Sequence, residues 1–425
     1  MRKIFYVLAF LLLGTVGELS AQMILFKGSF EDAVKKANEE KKDLFVDFYA
    51  DWCEPCKMMA AQVFTLPEVG TYFNAHFICV QVDVEAKENG EIAKKYGVNV
   101  LPTMVFVNRD GKELRRITGV VSPPAFIREA KIVTGEALSF EQMYEKYKKK
   151  KKDVEIMQQL LLEAPGFIMT QQGYDRQKWG TRVESLFPEY LKMKKLEDMI
   201  NESDFAILTL YHPQTTKQDP IFDFVATNFD KFARVVKQEE VAGYLVAMNN
   251  SYIIQLCKKG DLLYKDRLGR VSTDLKEAYS GITFGSLSVQ EAITLLADAT
   301  YSLYRHDENS FFATMDKYFA GKGEQTDLND YTQPLEDLFI VYQGKLSENA
   351  YAKCIPWIAK ALEKEMDAEL RTRLLVMIGQ CFQNTGNNDR AKQSFNQAYL
   401  VSAQIENVNA MKQLQQVIQQ SLQGL

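Results

Sequence analysis

Two cysteines at C-x-x-C spacing carry the clearest chemistry in this sequence. They are Cys53 and Cys56, within Asp51-Trp52-Cys53-Glu54-Pro55-Cys56-Lys57. If a helix begins at Cys53, the unpaired N–H groups of its first turn and the helix dipole favour a thiolate there. Cys56 then lies on the same side and can close a small disulfide ring. The pattern predicts a redox pair in which Cys53 is the nucleophile, the more solvent-accessible of the two, and Cys56 is the resolving thiol.

The same spacing is also compatible with half of a zinc site or with a purely structural disulfide. A structural zinc site needs two more ligands. The other cysteines (Cys79, Cys257, Cys354 and Cys381) and the histidines (His76, His212 and His306) are not at ligand spacing. A ring this short constrains the unfolded chain little, which disfavours a purely structural role. We therefore expect no metal and no other cofactor.

Residues 22–138 must supply the elements that position the two cysteines. Short apolar runs predict strands at 44–49, 77–82, 103–107 and 114–118, and periodic segments predict helices at 30–41, 88–96 and 123–134. The strand at 44–49 leads directly into the C-x-x-C motif. Strands that alternate with helices indicate an α/β layer fold.

Two separate motifs in this segment resemble the thioredoxin family. Phe48-Tyr49-Ala50-Asp51-Trp52-Cys53, followed by Pro55-Cys56-Lys57, is close to its active-site signature. Tyr96-Gly97-Val98, followed by Leu101-Pro102-Thr103, matches its second signature. The resemblance covers roughly residues 25–137 and is greatest to the exported C-terminal domains of transmembrane thiol reductases. It implies a thioredoxin-like fold, thiol–disulfide exchange at Cys53 and Cys56, and a cis peptide bond before Pro102 facing the pair.

The resemblance also implies roles for neighbouring residues. Asp47 matches a carboxylate that the family buries behind the disulfide, where burial raises its pKa toward that of a general base. It would take the proton from Cys56 when that thiol attacks. Substrate contacts are expected from the residues that surround the pair, namely Trp52, Glu54, Pro55, Leu101 and Pro102.

Two positions depart from the family pattern. Glu54 replaces a glycine, and its carboxylate should disfavour the Cys53 thiolate, which favours the reducing direction of exchange. Cys79 stands where many relatives carry a lysine near the buried carboxylate, so Asp47 should be easier to protonate. We expect Cys79 itself to be an inert buried thiol.

Residues 139–425 show almost no strand signal and predict an all-α region. A basic run at 146–152 predicts a solvated helical linker over 139–153, and apolar residues then recur at helical spacing, for example at 154–163, 221–236, 241–258, 289–304 and 367–383. Near 372–405 the spacing of small and aromatic residues matches a tetratricopeptide repeat: Leu375, Ile378, Gly379, Phe382, Gly386, Ala391, Phe395 and Ala398. A Cys354–Cys381 pair between adjacent helices is one possibility here; free buried thiols are the other.

The N-terminus and the composition indicate the compartment. Arg2 and Lys3 precede an apolar run at 4–13, and small and polar residues follow as far as Ala21, which is the order of a cleaved signal peptide. We therefore expect a periplasmic or otherwise exported, soluble protein. The fractions of 46% hydrophobic and 25% charged residues fit a globular chain, and a net charge of −5 argues against nucleic-acid binding.

Two functions from different classes follow. The first is an exported thiol–disulfide oxidoreductase on the reductase or isomerase side, with protein disulfides as substrates and a membrane thiol reductase as electron donor. Its helical region would contact proteins or form a dimer. The second is a helical-repeat adaptor or chaperone-like protein whose thioredoxin-like domain mainly recognises extended clients. The intact Cys53–Cys56 pair favours the first.

Overall fold

The computed structural model describes residues 22–425, so the predicted signal peptide at 1–21 lies outside the described residues. The chain divides into two compact units, one that extends to Ile156 and one over Met157–Leu425. Within the described residues no helix has the length and apolar character needed to cross a membrane.

The first unit contains a five-stranded mixed sheet. Its strands are β1 (Leu25–Phe26), β2 (Asp43–Tyr49), β3 (Phe77–Asp83), β4 (Thr103–Val107) and β5 (Glu113–Thr118). The spatial order is β1-β3-β2-β4-β5. The pairs β1–β3 and β3–β2 are parallel, whereas β2–β4 and β4–β5 are antiparallel. Strand β2 is therefore central, and the segment that follows it leaves the middle of the sheet.

Helices cover both faces of this sheet. They are α1 (Phe30–Glu40), α2 (Glu54–Gln62), α3 (Pro67–His76), α4 (Gly90–Lys95) and α5 (Pro123–Thr134), with a short 3₁₀ helix at Lys87–Asn89. Helix α6 (Phe140–Lys149) follows them in the same unit. Successive side chains of β2 point to opposite faces. Leu44, Val46 and Phe48 pack in one cluster with residues of α1 and α4. Phe45 packs in the other cluster with Met59 of α2 and with residues of α3 and α5.

The predicted α/β thioredoxin-like fold is confirmed, and the strand ends agree with the prediction within one residue. Strand β1 and helix α3 were not predicted. Two residues are too few for a strand pattern, and β1 exists only through its pairing with Cys79 and Val80 of β3. In α3 the buried residues are Val69, Gly70 and Phe73, which is too short an apolar stripe to stand out in the sequence.

The second unit is all-helical, as expected. Its first helix, α7 (Val154–Thr170), begins three residues before the division between the units. The others are α8 (Gly173–Glu184), α9 (Leu186–Met193), α10 (Glu202–Tyr211), α11 (Pro220–Thr227), α12 (Phe229–Phe232), α13 (Gln238–Lys259), α14 (Leu263–Gly269), α15 (Lys276–Tyr279), α16 (Val289–Tyr304), α17 (Glu308–Lys322), α18 (Leu328–Val341), α19 (Glu348–Leu362), α20 (Ala368–Asn384), α21 (Asn388–Ser402) and α22 (Val408–Gln423). Short 3₁₀ helices lie at Leu196–Met199, Arg270–Ser272 and Gly323–Gln325.

The segment predicted as one helix over 221–236 is in fact two. Helix α11 ends at Thr227, and α12 begins at Phe229 after Asn228 adopts a non-helical ψ of 26°. The helical spacing of apolar residues in the sequence continues across this break, because Phe222 and Val225 of α11 and Phe232 of α12 are all buried.

Helices α20 and α21 form the helix pair that the tetratricopeptide-like spacing predicted. A Cβ added to Gly379 would lie 2.6 Å from the Phe395 ring, so only glycine permits this approach. Ala391, Phe395 and Ala398 are fully buried in the cluster that joins the two helices. Gly386 lies in the loop between them with φ of 72°, a backbone conformation that favours glycine.

The predicted basic linker corresponds to α6 and the turn that follows it. Lys150, Lys151 and Lys152 are exposed in that turn, and the division between the two units falls after Ile156. We expect limited trypsin digestion of residues 22–425 to cleave first at this turn, because its lysines are exposed and lie outside regular structure. Mass spectrometry of the early products should show a fragment of about 130 residues.

A triple Lys→Gln variant at 150, 151 and 152 serves as the control and should delay this first cleavage. Residues 22–138 alone should fold and reduce disulfides. First cleavage elsewhere, or an unfolded 22–138 fragment, would contradict this domain assignment.

Candidate active site

A disulfide joins Cys53 and Cys56 at the start of α2, with a Cα–Cα distance of 5.3 Å. Cys53 is the N-cap of α2, and Pro55 lies in the first turn, where a missing N–H costs nothing. The backbone N–H of Cys56 donates to Cys53 Sγ at 3.2 Å. A helix-terminal donor is thus directed at the Cys53 sulfur, as the C-x-x-C spacing predicted.

Exposure does not distinguish the two cysteines. Cys53 is 2% exposed and Cys56 is 5% exposed, so the expectation that Cys53 is the more accessible is wrong for the disulfide form. The reason is local packing, because both sulfurs lie in a small cluster with Ala50, against which Tyr49, Val84 and Leu101 pack. The two cysteines differ instead in hydrogen bonding, because Cys53 Sγ accepts from the helix-terminal N–H of Cys56.

The residues that flank the disulfide on the outside are exposed. Trp52 is 65% exposed, and its indole Nε1 donates to Glu85 Oε1 at 3.0 Å. Sequence reasoning missed Glu85, which follows β3 by two residues and approaches Trp52 only because β3 lies beside β2. Glu54 and Pro55 are exposed as well. An aromatic face, a proline and a carboxylate therefore surround the entrance to the disulfide.

Glu54 forms an ion pair within its own helix turn. Lys57 Nζ lies 2.6 Å from Glu54 Oε1, and both side chains are largely exposed. A pair in this position is weakened by water and salt. The Lys57 ammonium nevertheless offsets part of the repulsion that the Glu54 carboxylate would exert on a Cys53 thiolate.

The second signature lies beside the disulfide. The Leu101–Pro102 peptide bond is cis, as the resemblance implied. Leu101 packs against the cysteine cluster, and Pro102 is buried with its carbonyl oxygen accepting from Gly119 N at 2.9 Å. Val100, one residue earlier, is exposed, and its carbonyl accepts from Thr103 Oγ1 at 2.7 Å.

Asp47 is a buried carboxylate on the central strand. It is 2% exposed and, by the alternation of β2, points to the face that α2 covers. Its Oδ2 accepts from Gln81 Nε2 at 2.9 Å, whereas Oδ1 has no hydrogen-bond partner among the described residues. Burial raises the pKa of Asp47 to about 6, and the Gln81 hydrogen bond opposes that rise.

Cys79 and Gln81 occupy the strand next to Asp47. In the β2–β3 register, Cys79 pairs with Phe45 and Gln81 pairs with Asp47. Cys79 is buried, and burial raises the pKa of its thiol. The partner of the carboxylate is thus the neutral amide of Gln81, which sequence reasoning missed because only the register of the two strands places it there.

Comparison with known proteins places the first unit in a family. A model described as "Thioredoxin-like domain" matches residues 30–133. The thioredoxin of Mycobacterium tuberculosis (strain ATCC 25618 / H37Rv) is 34% identical over 115 residues, which cover 27% of this chain and 91% of that thioredoxin. The chain belongs to the thioredoxin family. Its Cys53–Cys56 pair is the disulfide-forming pair of a thioredoxin-like disulfide oxidoreductase.

Two other known proteins are similar to part of this chain. "Thiol:disulfide interchange protein DsbD" of Colwellia psychrerythraea is 30% identical over 119 residues, which cover 27% of this chain and 19% of that protein. The thioredoxin-family chain therefore spans about a fifth of the length of this relative. A solved tetratricopeptide repeat protein from Parabacteroides merdae is 16% identical and covers 67% of this chain and 100% of its own, with a TM-score of 0.24.

Proposed function

We propose that this thioredoxin-family protein is an exported thiol–disulfide oxidoreductase that acts on protein disulfides, on the reductase or isomerase side. The observation that carries the proposal is the Cys53–Cys56 disulfide at the N-terminus of α2, with the Cys56 N–H directed at Cys53 Sγ. Donors in this position stabilise the charged sulfur that performs exchange. The likeness to a thiol:disulfide interchange protein supports the same reaction.

In the reducing direction the reaction has two exchange steps. The Cys53 thiolate attacks one sulfur of the substrate disulfide, forms a mixed disulfide and releases the other sulfur as a thiolate. Cys56 then loses its proton and attacks Cys53, which forms the Cys53–Cys56 disulfide and releases the second substrate thiol. Two electrons pass to the substrate, and an external dithiol must restore the reduced pair. A membrane thiol reductase would supply those electrons in an exported compartment.

Asp47 would accept the proton of Cys56. It shares its sheet face with α2, it is buried, and one of its oxygens has no partner among the described residues. With a pKa of about 6 it is mostly ionised at neutral pH and is still basic enough to take a proton.

The residues outside the disulfide would bind the substrate chain. Trp52, directly before Cys53, and Val100, directly before Leu101, are exposed apolar side chains. Leu101 packs directly on the cysteine cluster. Glu54 and Pro55 complete this surface, whereas Pro102 is buried and would support Leu101. An extended polypeptide could bury apolar side chains here while its disulfide reaches Cys53.

A second candidate function is an adaptor that binds extended clients without turnover. The observation that favours it is the close-packed α20–α21 pair, because stacked helical repeats provide extended surfaces for protein contact. In the oxidoreductase proposal the same region recruits a client or partner or forms a dimer.

The test is catalysis of insulin-disulfide reduction by residues 22–425 in dithiothreitol, together with the equilibrium of Cys53–Cys56 in glutathione buffers. We expect clear catalysis and a pair that is harder to reduce than glutathione disulfide, because the Glu54 carboxylate opposes the Cys53 thiolate of the dithiol form. A Cys79→Ser variant should match the parent. Binding of unfolded insulin without reduction would favour the adaptor, and a pair easier to reduce than glutathione disulfide would contradict the reducing direction.

A further inference from the structure

Two thiols outside the active site lie against each other in the helical unit. Cys354 is on α19 and Cys381 is on α20, and both are fully buried in one apolar cluster. Helices α19 and α20 pack against each other, which brings the two side chains close enough to interact. The remaining free cysteines lie in other elements, Cys79 in β3 and Cys257 in α13.

The surroundings of the two thiols are fixed by packing and hydrogen bonds. Leu374, Ile378 and Ile358 belong to the same buried cluster. The carbonyl oxygen of Cys381 accepts from Thr385 Oγ1 at 2.9 Å, which holds the end of α20 in place. Protein interiors are close-packed, so the side chains of this cluster keep the same neighbours in the folded unit.

We propose that Cys354 and Cys381 form a second disulfide that ties α19 to the tetratricopeptide-like pair α20–α21. This proposal does not depend on the function proposed for Cys53 and Cys56. The helical unit then exists in two forms, one with the disulfide and one with two free thiols.

The oxidant is a disulfide, either of low molecular weight, such as oxidised glutathione, or of a protein. One of the two thiols attacks it, which forms a mixed disulfide and releases one thiol. The second cysteine then attacks the mixed disulfide, which forms Cys354–Cys381 and releases the second thiol. Each of the two cysteines loses one proton and one electron, and the oxidant is reduced to two thiols.

Burial determines how fast this happens. The hydrogen bond with Cys381, followed by burial, raises the pKa of the Cys354 thiol. Exchange requires the thiolate, so the folded helical unit should react slowly and a transiently opened or folding chain should react faster. We therefore expect this pair to oxidise more slowly than Cys53 and Cys56, and mild urea to accelerate it.

The bond should stabilise the helical unit. Its two cysteines are 27 positions apart, and a cross-link over such a loop restricts the unfolded chain. Oxidation should therefore raise the Tm of the helical unit by about 5 °C.

The experiment uses residues 22–425 carrying Cys53→Ala and Cys56→Ala, so that the active-site pair contributes no redox change. The protein is equilibrated with excess oxidised glutathione or with dithiothreitol, denatured in acid, alkylated and digested with trypsin. The oxidised sample should contain the tryptic peptides 354–360 and 374–390 joined by a disulfide, with Cys79 and Cys257 alkylated. Its Tm should exceed that of the reduced sample by about 5 °C.

Single variants separate the bond from general effects of losing a buried thiol. Cys257→Ala is the matched control and should keep the linked peptides and the Tm difference. Cys354→Ala and Cys381→Ala should each lose both, while circular dichroism shows that they remain helical. Four alkylated thiols after full oxidation, or glutathione adducts without the linked peptides, would overturn the proposal, as would equal Tm values of the oxidised and reduced samples.

Discussion

In a Cys56→Ser variant, Cys53 is expected to stay joined to its substrates in stable mixed disulfides. The first exchange step needs only Cys53, and the donor at its sulfur is the backbone N–H of residue 56, which serine keeps. The second step needs a thiol at position 56, and a hydroxyl does not displace a thiolate from a disulfide. Attack should therefore continue while release falls to the background rate.

The measurement is non-reducing electrophoresis with mass spectrometry of complexes captured from cells. Cys56→Ser should accumulate adducts that dithiothreitol releases, and the double variant Cys53→Ser/Cys56→Ser should accumulate none. Cys53→Ser alone should reduce insulin at the uncatalysed rate, whereas Cys79→Ser should keep full activity. Adducts that join through Cys56 in the Cys53→Ser variant would reverse the roles that we assign.

The second large effect is expected from Asp47→Asn, which keeps the shape of the side chain and removes its basicity. The resolving step should slow by about 10²- to 10⁴-fold, the range that is typical of general-base catalysis. The initial attack by Cys53 should change little, because its helix-terminal donor does not involve Asp47.

Stopped-flow kinetics of the two steps tests this role. A single turnover with a disulfide-bonded peptide should show a normal first phase and a slowed second phase. Asp43→Asn, at the partly exposed start of the same strand, is the matched control and should leave both phases unchanged. Equal slowing of both phases, or of neither, would mean that Asp47 is structural and that water takes the proton.

The pH dependence of stability gives an independent readout of the same carboxyl group. Folding raises the pKa of Asp47 from 3.8 to about 6, so the folded protein binds a proton here more tightly than the unfolded chain. The stabilisation from that proton is fully present below pH 3.8 and is lost as the pH rises through about 6. At pH 7 the parent should therefore lie about 3 kcal/mol below Asp47→Asn in its free energy of unfolding.

Urea unfolding of the isolated first unit at pH 4 and pH 7 measures this difference. The gap between the parent and Asp47→Asn should be small at pH 4 and should widen toward pH 7. A gap that does not change with pH would show that the variant alters packing without removing a buried charge.

The sequence alone determined the features of this protein that depend on neighbouring residues. Cys53, Cys56 and Pro55 meet within one helical turn, so their spacing predicted the N-cap geometry and the disulfide. The limits of β4 and α16 matched the sequence pattern because a continuous apolar run or a helical apolar stripe is itself local. The α20–α21 pair was predictable for the same reason, since Gly379 and Phe395 are held together by a short loop.

Only the tertiary structure determined which distant residues meet. Gln81 lies beside Asp47 because β3 pairs with β2 in a parallel register, and a shift of one residue would have turned it to the other face. Glu85 reaches Trp52 through the packing of elements that are far apart in sequence. The burial of Cys53 likewise depends on Val84, which follows β3, and on Leu101, which precedes β4. Such contacts depend on strand order and helix packing, which bring together residues that no local spacing relates.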